Sequence, residues 1–440
     1  MGKVHGAAGA VAVRRRRWSR CVGSALCGLF VLAQAAHAFT AEHYELRLRP
    51  DFEHRVLQGQ ARIRLTAGAD PAAALELSAP ALQISRARLD GKDVAVERTA
   101  SGWRMRLNET QASAATHWLE LDYSAPAGEG LVFGEGYVYT AYHTCQWMPC
   151  AGPELGRASV AIDLELPEDF RSVASGQRRA GASGPTQRWI EPEPYPLYTL
   201  GFSAGRFTDV VDAADPRLRY LGTEDDAGSL VLKFRDSARM LAFFENASGL
   251  PLPHPVYAQV LVPGGAAQEA SSFSLIGKSM LDPILEDPQE DWVIAHELAH
   301  QWWGNLITCA EWKDFWLNEG ITVFMTAAWK QERWGEAAYR RELELARQRW
   351  QRAKDLGADK PLSWPGAYSS LGVKRAIHYS KGALFMNALR EDLGERAFWD
   401  GLRRYSRAGA GRGVSAADLQ RAMEDSAGRS LQALFDAWVY

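Results

Sequence analysis

Residues 292–303 read Trp-Val-Ile-Ala-His-Glu-Leu-Ala-His-Gln-Trp-Trp. Wound as a helix, this segment is apolar almost all the way round, yet it carries two imidazoles and a carboxylate. A helix of that composition is a buried one, and ionisable groups in such a place need a partner to offset their desolvation. The spacing says which partner. His296 and His300 stand four residues apart, so both rings leave the same face one turn apart and can bind one ion. Glu297 lies between them, beside such an ion rather than on it, where a carboxylate can take a proton from water. Eighteen residues separate His300 from Glu319 in Trp-Leu-Asn-Glu-Gly. Glu319 completes a two-His, one-Glu set with a fourth position left open, the arrangement of catalytic rather than structural zinc. The expected cofactor is one Zn2+ per chain, held by His296, His300 and Glu319.

The longer run from His296 through Gln301-Trp-Trp-Gly-Asn305, followed by Trp312-Lys-Asp-Phe-Trp-Leu-Asn-Glu-Gly320, resembles the M1 family of zinc aminopeptidases, the gluzincins that include leukotriene A4 hydrolase. The likeness is dense over residues 291–325 and thinner but continuous from Glu42 to Tyr440. It implies an α+β chain, with a β-rich N-terminal domain followed by a thermolysin-like, mainly helical zinc metallopeptidase domain. The implied activity is removal of the first residue from peptides that have a free N-terminus.

Two further positions take their roles from this resemblance. The family carries a Gly-x-Met-Glu-Asn strand whose Glu binds the substrate's α-amino group. Here Gly264-Gly-Ala-Ala-Gln-Glu269-Ala stands in that place, with Gln268 for Met and Ala270 for Asn. Glu269 is thereby implied as the amine anchor, with a solvated loop carboxylate as the plain alternative. Tyr379, in His378-Tyr-Ser-Lys-Gly382, matches the family's Tyr-x-Lys-Gly and is implied as the phenol that donates to the oxyanion. His378 reads as local structure. Asp314 and Asn318 are expected either to orient a ligating imidazole or to cap the helix carrying Glu319. Two rival activities remain open. A thermolysin-type endopeptidase would not depend on Glu269, and a non-catalytic scaffold would have no need of the complete set of ligands, base and phenol. The likeness stops with the chain at Tyr440, without the helical C-terminal domain of many relatives, so epoxide hydrolysis is not expected.

At 440 residues the chain is long for one core, and two domains are expected, at 39–213 and 214–440. Tyr44 to Arg49, Ala61 to Leu65 and Trp103 to Leu107 alternate apolar and polar residues as half-buried strands do. Leu230 to Ala247 reads as one amphipathic helix stopped by Gly249. Beyond Asp291 the pattern is helical, with Ser415 and Asp418 opening a late helix as a capping pair.

Residues 1–38 look like an export signal: Arg14 to Arg17 and Arg20, an apolar stretch from Val22 to Ala36, and the cleavage triplet Ala36-His37-Ala38. The stretch is shorter than a membrane span, so no stable membrane insertion is expected after cleavage, and the enzyme is expected in the periplasm or outside the cell. Six of the 50 basic residues and none of the 53 acidic ones fall in this segment, leaving a net charge of −9 beyond it. Such a balance excludes nucleic acid as an electrostatic partner; the oligomeric state is not encoded. Cys145, Cys150 and Cys309 remain after cleavage. At most one bridge can form, with Cys145–Cys150 the nearest pair, and three buried thiols are expected. Pro149-Cys150 also resembles a family element whose thiol is packed.

Overall fold

A computed structural model describes residues 39–440 apart from 69–73, 109–110, 112–113, 154 and 180–184; the expected signal segment, 1–38, lies outside the described residues. The N-terminal half is built on an eight-stranded sheet. Its central strands are β1 (Phe39–Asp51), β2 (Val56–Ala67), β3 (Thr116–Pro126), β4 (Arg157–Glu165) and β5 (Thr186–Pro196), in the order β5-β4-β1-β2-β3. The alternation read from the sequence is the cause. Tyr44, Leu46 and Leu48 are buried while Arg47 and Arg49 face solvent, and β1 pairs antiparallel with β2 and parallel with β4 in the register that keeps those faces apart.

A second, five-stranded sheet opens the C-terminal half. Its strands are β6 (Thr208–Val211), β7 (Leu218–Gly222), β8 (Tyr257–Val262), β9 (Ala267–Ala270) and β10 (Phe273–Gly277), ordered β6-β7-β8-β10-β9. It takes its first strand from residues ahead of 214. β7, β8 and β10 run parallel, and β9 is an antiparallel edge strand. Every residue of β8 and β10 is buried, as both-face coverage requires. Val260 belongs to the core of the N-terminal half and Leu261 to the helical core. One sheet thus closes two cores and ties the halves together.

The helices that matter for the site are α1 (Ala227–Lys233), α2 (Ser237–Ser248), α3 (Trp292–Ala299), α4 (Trp316–Trp334), α5 (Gly382–Gly409) and α6 (Ala416–Ala427). The single helix expected over 230–247 is two. The chain steps at Phe234, where Lys233 is buried against Asp225 and Asp282 and the Phe234 ring stacks on Tyr220; those tertiary contacts override local helical continuity. Gly249 ends α2 in the left-handed conformation at φ 67°, and Ser415 with Asp418 forms a reciprocal capping box on α6. The expectation of three thiols is corrected. Cys145 and Cys150 form a disulfide, because the turn at Thr144–Gln146 brings their Cα atoms to 5.3 Å, and among the described residues Cys309 is the one free thiol, and it is buried. Among the described residues no helix is long and apolar enough to cross a membrane.

Candidate active site

Helix α3 is buried from Val293 to Ala299, so His296 and Glu297 leave it into protein rather than water. His300 follows at its C-terminal end, and Glu319 comes from the first turn of α4. The Nε2 atoms of His296 and His300 lie 3.1 Å apart, and Oε2 of Glu319 is 3.5 Å from each. A triangle with those sides has a circumradius of about 2.0 Å, the length of a zinc–nitrogen or zinc–oxygen bond. Oε2 of Glu319 is buried without a hydrogen-bond partner. Two imidazole nitrogens and an orphaned carboxylate oxygen converging on one point fit a metal ion, and among the described residues this is the one such group.

Charge supports the fit. Burial alone would lower His300, yet the carboxylates of Glu269, Glu319 and Glu297 raise it to about 10. His296 is lowered, its burial outweighing the attraction of the Glu319 carboxylate 3.5 Å away. Three carboxylates around two imidazoles make a site that draws in positive charge.

The orientation of His300 is set locally. Its Nδ1 donates to the carbonyl of Trp303 at 2.9 Å, with Thr322 Oγ1 at 3.3 Å, which leaves Nε2 free for the ion. Gly304 makes room for that ring: a Cβ there would sit 2.6 Å from Nδ1. The expectation that Asp314 or Asn318 orients an imidazole is corrected. Asn318 accepts from the backbone N–H of Cys309 and donates to Tyr198, and Asp314 accepts from Ser363. Their side chains are committed elsewhere, and neither caps α4, whose N-terminal residue makes no side-chain cap bond.

Glu297 is buried with Oε2 unpartnered. Desolvation pushes its carboxyl well above the ordinary value, against the opposing charge of His300. Tyr379 sits in a π-helical turn, Ala376–Lys381, a distortion common at functional sites. Its ring lies parallel to that of His296 at 6.2 Å. Burial and the Glu319 and Glu269 carboxylates hold the phenol protonated, so it is a hydrogen-bond donor. Gly382 of the same motif touches Gly320, next to Glu319.

Glu269 is no solvated loop residue. It lies buried on the edge strand β9, and its carboxyl is raised to about 7, chiefly by desolvation, with Glu319 adding and His300 opposing. Gln268 Nε2 donates to it at 3.1 Å. Gln268 Oε1 also accepts from the backbone N–H of Tyr142 at 2.7 Å, and the Tyr142 hydroxyl accepts from Ala267 at 2.8 Å. Tyr142, half exposed and close enough to Glu297 and Glu269 to feel their charge, is a site residue that no local motif announces. The same holds for Tyr198, which is buried between α4 and the loop after α3.

Comparison with known proteins agrees with this geometry. The peptidase family M1 domain matches residues 233–438. Aminopeptidase N of Caulobacter vibrioides is 27% identical over 395 residues, covering 82% of this chain and 45% of its own. Leucine aminopeptidase 2 of Eremothecium gossypii is 27% identical over 324 residues, covering 65% and 48%. The chain spans less than half the length of these two relatives. Among solved structures, the M1 zinc metallopeptidase from Deinococcus radiodurans is similar with a TM-score of 0.75 at 24% identity, covering 91% of this chain and 94% of that one. Yeast LTA4 hydrolase is similar with a TM-score of 0.78 at 20% identity, covering 92% and 68%. Those structural likenesses speak for the two-domain α+β fold. With His296, His300 and Glu319 converging on one point, residues 233–438 of this chain match the peptidase family M1 domain.

Proposed function

We propose that the protein is a zinc-dependent aminopeptidase that hydrolyses the first peptide bond of substrates with a free N-terminus. One observation carries the reading: Glu269 is a buried carboxylate on an edge strand, and the end of that strand is tied through the Ala270 carbonyl to Gln301, the residue after His300. An anion there binds an ammonium group in a partly dry site, and so places the first carbonyl, not a later one, beside the base. His296, His300 and Glu319 would hold the zinc, which supplies Lewis acidity and eases the ionisation of water.

The chain's own groups supply the rest. Glu297 takes a proton from the attacking water and returns it to the nitrogen of the leaving amine, so its carboxylate is regenerated in each cycle. Tyr379 donates its O–H to the oxygen that becomes an oxyanion as the carbonyl carbon turns tetrahedral. Glu269 holds the ammonium throughout and limits release to one residue. We infer in addition that the protein is exported. The apolar segment with its Ala36-His37-Ala38 triplet supports this, as does the Cys145–Cys150 bond, which belongs to oxidising compartments.

The test compares aminoacyl-fluorophore substrates with their N-acetylated versions, with and without a zinc chelator. Chelator-sensitive release from the free-amine substrates alone is the expected result. Equal cleavage of the acetylated substrates would make the protein an endopeptidase instead.

A further inference from the structure

β9 is an edge strand, bonded to β10 on one side only, so the position of Glu269 depends on what holds its end. That end is a two-residue turn, Ser271–Ser272, joining β9 to β10. Ser272 has φ 69°, a left-handed conformation that costs a non-glycine residue free energy unless its surroundings enforce it. They do so from two directions. From the catalytic half, Gln301 donates to the carbonyl of Ala270 and accepts from the N–H of Ser272. From the N-terminal half, Thr199 accepts from the N–H of Ser271 at 2.9 Å.

A third constraint involves a buried ionisable pair that the reaction does not use. Glu191, on β5, is 2% exposed and His254 4% exposed. Glu191 Oε2 is 2.6 Å from His254 Nε2 and accepts from Ser271 Oγ at 2.7 Å. A carboxylate at that depth is tolerated only when its hydrogen bonds are met, and Ser271 supplies one of them. The trio is not a second nucleophilic site. The serine hydroxyl donates to the carboxylate at 2.7 Å, its contact with His254 Nε2 being the longer one at 3.4 Å, and all three groups are buried.

We propose that Glu191, His254 and Ser271 form a positioning device for Glu269, through which the N-terminal domain sets where the substrate's ammonium group is held. The inference rests on the reading of Glu269 as the amine anchor. Because Ser271 stands two residues from Glu269 at the end of a strand paired on one side only, loss of its hydroxyl removes one restraint on the strand end without touching the metal ligands. Glu191→Gln weakens the same contact from the other side and keeps the side chain's volume.

Two inhibitors separate positioning from general damage: leucine hydroxamate and its des-amino counterpart, 4-methylpentanehydroxamate. Both reach the metal, and only the first offers an ammonium group. In the zinc-loaded enzyme, Ser271→Ala and Glu191→Gln are each expected to weaken leucine hydroxamate about tenfold, the scale of a lost or misplaced bond to a charged group. They are expected to raise KM for aminoacyl substrates more than they lower kcat, and to leave the des-amino inhibitor unchanged. On a Glu269→Gln background, Ser271→Ala should add nothing further. Equal weakening of both inhibitors, or of neither, overturns the proposal. If Glu269→Gln separates the two inhibitors while Ser271→Ala and Glu191→Gln do not, the anchor stands and the positioning device falls. If Glu269→Gln fails to separate them, both fall.

Discussion

Gly320 and Gly382 touch: a Cβ built on Gly320 would lie 2.7 Å from the Cα of Gly382, and one on Gly382 would lie 2.8 Å from the Cα of Gly320. One follows Glu319, which converges with His296 and His300, and the other closes the motif that carries Tyr379. Their contact lets α4 approach the π-turn closely enough for the carboxylate and the phenol to share one site. An added methyl at either position meets backbone, which cannot give way as a flexible side chain can. Gly320→Ala is expected to destabilise the protein by about 1–3 kcal/mol through overpacking, and to lower kcat more than it lowers zinc content. Urea unfolding together with zinc content checks this; an alanine variant with full activity would show the close approach to be dispensable.

Tyr198 reaches from the N-terminal half to donate to the carbonyl of Gly304 at 3.0 Å and to accept from Asn318 Nδ2 at 2.9 Å. It therefore joins the segment after His300 to the residue before Glu319. Tyr198→Phe leaves the buried Asn318 Nδ2 without its partner, while the Gly304 carbonyl keeps Thr308 Oγ1 at 2.7 Å, and should cost about 1–3 kcal/mol. It should also weaken zinc retention, measured by competition with a chelator. Unchanged retention would limit Tyr198 to a packing role.

Glu297→Gln keeps the shape of the side chain and removes its basicity. Zinc content should match the unaltered protein, because Glu297 is not among the three converging ligand atoms. Turnover should fall by roughly 10²- to 10⁴-fold, the range for loss of a general base. Stopped-time assays beside metal analysis decide it, and near-normal turnover would assign the base elsewhere.

His378 provides a pH dependence of stability away from the ligand atoms. Burial, with the Lys374 cation adding and Glu319 opposing, lowers it from 6.5 to about 4. The unfolded chain therefore binds a proton between those values when the folded one does not, so stability rises with pH across that window. Acidifying from pH 7 to pH 5 should cost about 2 kcal/mol through this residue. The urea midpoint of the native protein should fall over that range more steeply than that of His378→Gln. Parallel slopes would show that His378 does not account for it.

How far the site was legible in the sequence depended on the distance along the chain over which each contact is made. His296, Glu297 and His300 share one helix, so their geometry follows from the helical period. Ser415 and Asp418 likewise meet across three residues, and their capping was readable. The step at Phe234 was not, because it is imposed by the stacking of its ring on Tyr220 and by Asp282 on Lys233. Asp314 and Asn318 looked like partners for an imidazole by proximity in sequence, whereas the actual acceptor for His300 is a backbone carbonyl, which no residue type reveals.

From residue types and spacing alone came the convergence of His296, His300 and Glu319, the alternating strands and the order of β-rich and helical halves, since each rests on local periodicity or on a dense motif. Tertiary structure alone decided that Gln268 ties Tyr142 to β9, that Tyr198 bridges two ligand-bearing segments, and that Glu191 and Ser271 meet at the end of the strand carrying Glu269. Those contacts join residues 80 to 126 positions apart. They exist because one five-stranded sheet, whose strands β8 and β10 are buried on both faces, contributes residues to both cores.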